Sequence, residues 1–173
     1  MTYLKSTLGR LYKNITDDVN IVDTTVNILY PNMDSQSVWD TLVTDLRQIC
    51  PNNEVAEEMS QSTNHDIYRL YLSNSAQNAA LSAIHTWDSI ALFGFKMFPY
   101  PSGDRDIQYQ DKLRSILKNL AYGKVEDRWG TFPSETMEIG NGLPLSVVTS
   151  KKPQENICNV FKSLHMDIYG SQN

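Results

Sequence analysis

The sequence predicts an α+β domain in which three or four helices pack on a small, mainly antiparallel sheet. Three observations carry that expectation. Apolar residues recur at helical spacing in several segments, for example Leu113, Ile116, Leu117 and Leu120. Short runs rich in Val, Ile, Thr and Tyr alternate between these segments, as strands that bury one face do. Three times an apolar strand-like run meets a Ser, Asn or Pro break and then an amphipathic helix, over residues 26–49, 68–90 and 145–168. That order argues for helices gathered on one side of a sheet.

Residues 1–18 stand apart as an N-terminal arm, followed by a single globular domain over residues 19–173. The arm's first 13 residues carry Lys5, Arg10 and Lys13 and no acid, and Leu4, Leu8 and Leu11 fall at i, i+4, i+7. A helix there would be amphipathic, although Gly9 weakens it by about 1 kcal/mol relative to Ala. Two readings stand: an element docked on the core, or a basic arm that meets a membrane or a partner.

Residues 19–30 read as one or two strands, stopped by Pro31. Asp34 or Ser35 caps a helix running to Ile49, with Val38, Trp39, Leu42, Leu46 and Ile49 on one face. Cys50-Pro51-Asn52-Asn53 ends it, and the polar residues 54–64 form a loop. Residues 66–72 are a strand with Tyr68, Leu70 and Leu72 on one side and Arg69 and Tyr71 on the other. A helix over 79–91 carries Ile84 and Trp87. Another over 105–121 presents its Leu/Ile stripe with Lys112, Arg114 and Lys118 off it, and Gly123 is its C-cap. Short strands follow at 131–139 and 145–149, then a last helix from Pro153 to about 168.

Composition narrows the function. The chain has 173 residues, 40% hydrophobic and 20% charged, with a net charge of -5, so it has length for a core and is no general polyanion binder. Contact with nucleic acid or anionic lipid must be local. Cys50 and Cys158 sit in no Cys-x-x-Cys pair and are expected to be buried reduced thiols. No apolar run approaches the roughly 20 residues that span a bilayer, and the N-terminus lacks a secretory pattern. An intracellular, reducing location is the expectation.

His65, His85 and His165 are scattered, and no phosphate loop, His-Glu-x-x-His motif or nucleophile elbow occurs. No catalytic role, cofactor, metal site or small-molecule substrate is expected. Arg69 and Tyr71 could offer a stacking platform to RNA, with Lys112, Arg114 and Lys118 tracking its backbone. The bland alternative is a sheet-edge tyrosine and a solvated helix face.

The connector after residue 91 is the most informative stretch. Leu92, Phe93, Phe95, Met97, Phe98 and Tyr100 bring six large apolar residues into nine positions, without helical or strand period. Such a run is either a lid over the core or an exposed contact for a second copy or a lipid interface.

With those residues in view, the chain resembles the matrix proteins of rhabdoviruses. Met1, Leu4, Lys5, Leu8 and Gly9 are similar to the Leu-Lys-x-x-Leu-Gly start of vesiculovirus-type members. The central block is similar too: a strand, a Ser/Asn turn, a helix with Trp87-Asp88 near its end, a loop with Lys and Pro, then the Leu/Ile-rich helix at 113–120. The chain departs from the family in being acidic, in lacking a Pro-Pro-x-Tyr motif, and in placing Thr86 between His85 and Trp87. The resemblance implies a non-enzymatic coat protein that self-associates and bridges nucleocapsid and membrane during assembly and budding. Its location would be the host cytoplasm, the inner face of the membrane and the virion. By position, Leu4, Lys5, Leu8, Arg10 and Lys13 would form the membrane- and nucleocapsid-binding arm. Leu92, Phe93, Phe95, Met97 and Phe98 would form the self-association loop. The alternative is a small RNA- or protein-binding accessory module.

Overall fold

The structure is a computed structural model that describes residues 24, 26–73, 87–94, 103–126, 129–140, 147–150 and 152–164. The α+β class holds: helices dominate, with one small three-stranded sheet. The chain divides into two compact units, one drawn from residues up to Glu58 and from Pro153 onward, the other from Met59–Lys152.

The first unit is helical. Residue 24 and residues 26–29 are helical, where a strand was expected. The Tyr30 N–H closes the turn on Val26 O at 3.0 Å. Val26 and Tyr30, four apart, are both buried in one cluster with Val38, Leu42, Leu46, Cys50 and Phe161. Burial of that i, i+4 pair outweighs the β preference of the local Val, Ile and Thr residues, a preference worth at most about 1 kcal/mol per residue and set largely by context. Asn32, in the left-handed region at φ 63°, turns the chain into the next helix.

Helix α1 (Ser35–Thr44) begins where expected. The Asp34 carboxylate accepts N–H bonds from Gln36 and Ser37 at 3.0 Å and the Ser37 hydroxyl at 2.6 Å. The Ser37 hydroxyl bond, with the backbone bonds, holds the Asp34 pKa below the ordinary carboxylate range. The helix does not end at residues 50–53. A π-helical turn, Asp45–Ile49, leads directly into helix α2 (Cys50–Ser62), so residues 54–62 are helical and not loop. Pro51 explains the turn. A proline ring inside an α-helix clashes with the carbonyl four residues back. Here the turn ahead of Pro51 is widened, with the Cys50 N–H bonded to Asp45 O, and the ring fits without breaking the helix.

The last described helix of this unit, α3 (Glu155–Ser163), buries Phe161 completely, with Ile157, Cys158 and Leu164 packed beside it. Cys158 is disulfide-bonded to Cys50 across 108 residues, with Cα atoms 5.3 Å apart. The expectation of two reduced thiols is overturned. Each cysteine lies on the inward stripe of its own helix, and the packing of the two stripes brings them within bonding reach.

The second unit holds the sheet, ordered β1 (Leu70–Leu72), β2 (Thr136–Ile139), β3 (Val147–Ser150). The sheet is mixed: β1 pairs parallel with β2, Leu70 opposite Met137, and β2 pairs antiparallel with β3, Glu138 opposite Val148. A mainly antiparallel sheet was expected, but β1 and β2 lie far apart in sequence and are free to run in the same direction. Tyr68, Leu70 and Leu72 point to one side, as their alternation requires, and meet Met137, Ile139 and Trp129 in a core with Ile90, Ala91, Tyr109, Leu113 and Ile116.

Two helices cover that side. The shorter, residues Trp87–Phe93, packs on the longer, Asp104–Ala121. In the longer helix the predicted stripe is buried at Leu113 and Ile116, at 1–2% exposure, and partly at Leu117, but Leu120 at its end is exposed at 37%. Gly123, at φ 70°, supplies the left-handed C-cap, and the Lys124 N–H returns to Asn119 O at 2.9 Å.

Candidate functional site

The end of the short helix is built by side chains of the long one. Ile90 and Ala91 are buried at 2% and 0% exposure and anchor the helix in the core. Its last carbonyls would be orphaned, as at any helix C-terminus. The Gln110 side-chain amide donates to Ala91 O at 2.7 Å, and the Arg114 guanidinium donates through Nε to Leu92 O at 3.0 Å. Gly94, at φ 73°, turns the backbone left-handed and returns its N–H to Ile90 O at 2.8 Å.

This arrangement leaves Phe93 on the outside at 67% exposure, while Leu92 is half-buried against the core. The helix cannot roll to bury the ring, because its neighbours Ile90 and Ala91 are already held inward. Ile107, on the same side of the long helix as Gln110 and Arg114 by its i, i+3, i+7 spacing, adds apolar surface at 44% exposure. The predicted association residues Phe95, Met97 and Phe98 lie outside the described residues, as do all five arm residues, Leu4, Lys5, Leu8, Arg10 and Lys13.

The proposed RNA-binding residues separate. Arg114 belongs to the carbonyl-capping set beside Phe93, a connection between two stretches that the sequence presents as unrelated. Lys112 is held in a bidentate pair with Glu126, Nζ to the two carboxylate oxygens at 2.8 and 2.7 Å. Lys118 is exposed on the long helix. Arg69 and half-buried Tyr71 belong to the sheet, not to that helix. The Arg69 guanidinium lies 5.8 Å from the Phe132 ring centroid, and Lys152 Nζ lies 5.9 Å from the same ring. The Arg69 carbonyl accepts from Met137 N and from Trp129 Nε1, both at 3.0 Å. Burial lowers the Arg69 pKa, and neighbouring Tyr71 acts in the opposite sense.

One group in the first unit was missed by sequence reasoning. Asp45 is wholly buried at the start of the π-helical turn and accepts the Tyr30 hydroxyl on Oδ2 at 2.7 Å. Its Oδ1 is buried with no hydrogen bond. Burial pushes the carboxyl up to about 6, and the Tyr30 bond pulls the other way. Tyr30 itself is raised, by burial first and then by Asp45. A carboxylate at i+7 from Val38 on an otherwise apolar stripe was the legible sign.

Among the described residues no three His, Cys, Asp or Glu side chains gather as a metal site, and no helix is long and apolar enough to cross a membrane. No family model matches the chain, and neither curated proteins nor solved structures yield a match.

Proposed function

We propose that this chain is a matrix-type structural protein, without catalytic activity, that associates with further copies of itself and bridges nucleocapsid and membrane. The observation that carries the self-association is Phe93: a large apolar side chain at 67% exposure on a helix end fixed by Gln110 and Arg114. Burying one such side chain is worth roughly 1.5–3 kcal/mol. A helix end whose backbone is already held loses little main-chain freedom when a second copy covers its ring, which favours Phe93 as an anchor. The bridging role rests on the resemblance of the N-terminal and central segments to rhabdovirus matrix proteins and on the basic, Leu-bearing arm.

Sedimentation at low and high salt tests the reading. Wild type is expected to form oligomers whose apolar contact persists at high salt, while contacts made by Lys5, Arg10 and Lys13 are screened. Phe93→Ser should give a folded chain that remains monomeric at both salts. Deleting residues 1–13 should remove binding to anionic liposomes. A Phe93→Ser chain that oligomerises like wild type would overturn the association reading, and undiminished liposome binding by the deletion would overturn the arm.

A further inference from the structure

We propose that the Cys50–Cys158 bridge is an exchange site for low-molecular-weight thiols and disulfides of the glutathione class, with Cys158 as the sulfur that reacts and Cys50 as the one that resolves. The two sulfurs differ in their surroundings. Cys50 is buried at 6% exposure among Val26, Tyr30, Leu42 and Phe161. Cys158, early in α3, is only partly buried. Of the two residues, Cys158 is the one nearer solvent, and an incoming thiolate meets that end of the bond first.

Asn53 distinguishes the sulfurs further. It is buried at 5% exposure, one turn after Cys50, and its side-chain amide donates to Pro153 O at 2.9 Å and to Cys158 Sγ at 3.5 Å. The Pro153 carbonyl is only an acceptor, so the NH2 end of the amide must face both groups. A donor fixed beside Cys158 Sγ favours negative charge there. Lys162 and Glu54, each one turn beyond a cysteine, are paired with each other at 3.4 Å and largely offset, while Glu155 sits one turn before Cys158 on α3 and opposes the Asn53 donor.

The exchange balances in both directions. For oxidation, the Cys158 thiolate attacks glutathione disulfide, forming a mixed disulfide at Cys158 and expelling one glutathione thiolate. Cys50, having lost its proton to solvent, then attacks Cys158 Sγ and expels the second. The protein loses two electrons and the glutathione disulfide gains them. Reduction retraces the path: glutathione thiolate attacks Cys158 Sγ, Cys50 leaves and takes up a proton, and a second glutathione thiolate attacks the glutathione sulfur to release Cys158. In that last step the favoured thiolate is the leaving group, which speeds it. Phe161, on the same helix, is buried in the cluster that holds Cys50 and gives α3 a docking contact besides the bridge.

The test uses the full-length wild-type chain. It is incubated with graded ratios of reduced to oxidised glutathione, quenched with acid, alkylated and mapped by peptide mass. Glutathione should be found on Cys158 at about tenfold or more over Cys50. Equal labelling, labelling mainly on Cys50, or a bridge that opens only after denaturant is added would overturn the proposal. In a Cys50→Ser background, Asn53→Ala should shift the pH profile of Cys158 alkylation upward and slow it near neutral pH. An unmoved profile in a chain with unchanged circular dichroism removes the assigned role of Asn53.

Discussion

The Tyr30 hydroxyl donates to Asp45 Oδ2 at 2.7 Å at a place where the aspartate has no exposed surface. Burial dominates that carboxyl, whose pKa of about 6 stands above the ordinary value of 3.8. The folded chain therefore binds the Asp45 proton more tightly than the unfolded chain does. Below about pH 4 both forms are protonated and the group is neutral in its effect. Between about pH 4 and pH 6 its contribution falls as pH rises, and above about pH 6 the full penalty, on the order of 2–3 kcal/mol, is present. The aspartate is thus a destabilising element at neutral pH, opposite in sign to the capping Asp34, whose lowered pKa favours the fold as pH rises.

Asp45→Asn is expected to remove that pH-dependent penalty. Asn keeps an oxygen that can accept the Tyr30 hydroxyl bond. Urea unfolding at pH 4.5 and pH 7.5 measures the change in stability between the two. The variant should gain relative to wild type on going from the lower pH to the higher. An unchanged pH increment would show that Asp45 does not titrate in this window.

Tyr30→Phe should destabilise the first unit by about 1–3 kcal/mol at pH 7.5, because it leaves a buried carboxylate without its hydroxyl donor. The cost should shrink at pH 5, where the carboxyl is mostly protonated in the fold. The same unfolding measurement reads both, and a pH-independent cost would mean that the lost hydroxyl bond does not depend on the charge of Asp45.

Arg114→Ala is expected to lower stability by about 0.5–1.5 kcal/mol by orphaning Leu92 O. It should also weaken self-association by more than the loss of its own methylene stem, because the seat of Phe93 loosens. Arg114→Lys should not restore association, since an ammonium lacks the Nε–H that reaches Leu92 O along the guanidinium plane. Sedimentation of both variants at matched concentration checks this, and wild-type association by Arg114→Ala would separate the cap from the contact.

Much of the second unit was legible because its local preferences agree with its packing. The stripe of Leu113 and Ile116, the alternation of Tyr68, Leu70 and Leu72, and the cap at Gly123 each act through neighbours in sequence. The first unit was less legible because its deciding contacts are distant. Tyr30 meets Asp45, Asn53 meets Pro153 and Cys50 meets Cys158, and none of these pairs has a local pattern that names the partner. Pro51 was misread for a related reason: a helix break is the general outcome at proline, and a widened turn is a particular escape from it. In the candidate site, hydrophobicity alone left Phe93 either in a lid over the core or in an exposed contact, and its 67% exposure is the second of these. The capping role of Arg114 was not legible, since its i, i+4 neighbours suggest only a solvated basic face.

The pair of Lys112 with Glu126 yields a prediction about nucleic acid. A lysine held at 2.7–2.8 Å by both oxygens of one carboxylate is neutralised before any phosphate arrives. If single-stranded RNA tracks the long helix, exposed Lys118 contributes to the salt dependence and Lys112 does not. Glu126→Gln frees Lys112 without removing any positive charge. Fluorescence anisotropy with an oligouridine probe, run from low to moderate salt, should then show tighter binding and a log–log salt slope steeper by about 0.7, the increment for one further phosphate contact on a single strand. Tighter binding with an unchanged slope would place the gain in net charge and not in a contact by Lys112. No change in either would exclude this helix as an RNA track and leave its basic side as the cap and ion pair that Arg114 and Lys112 already form.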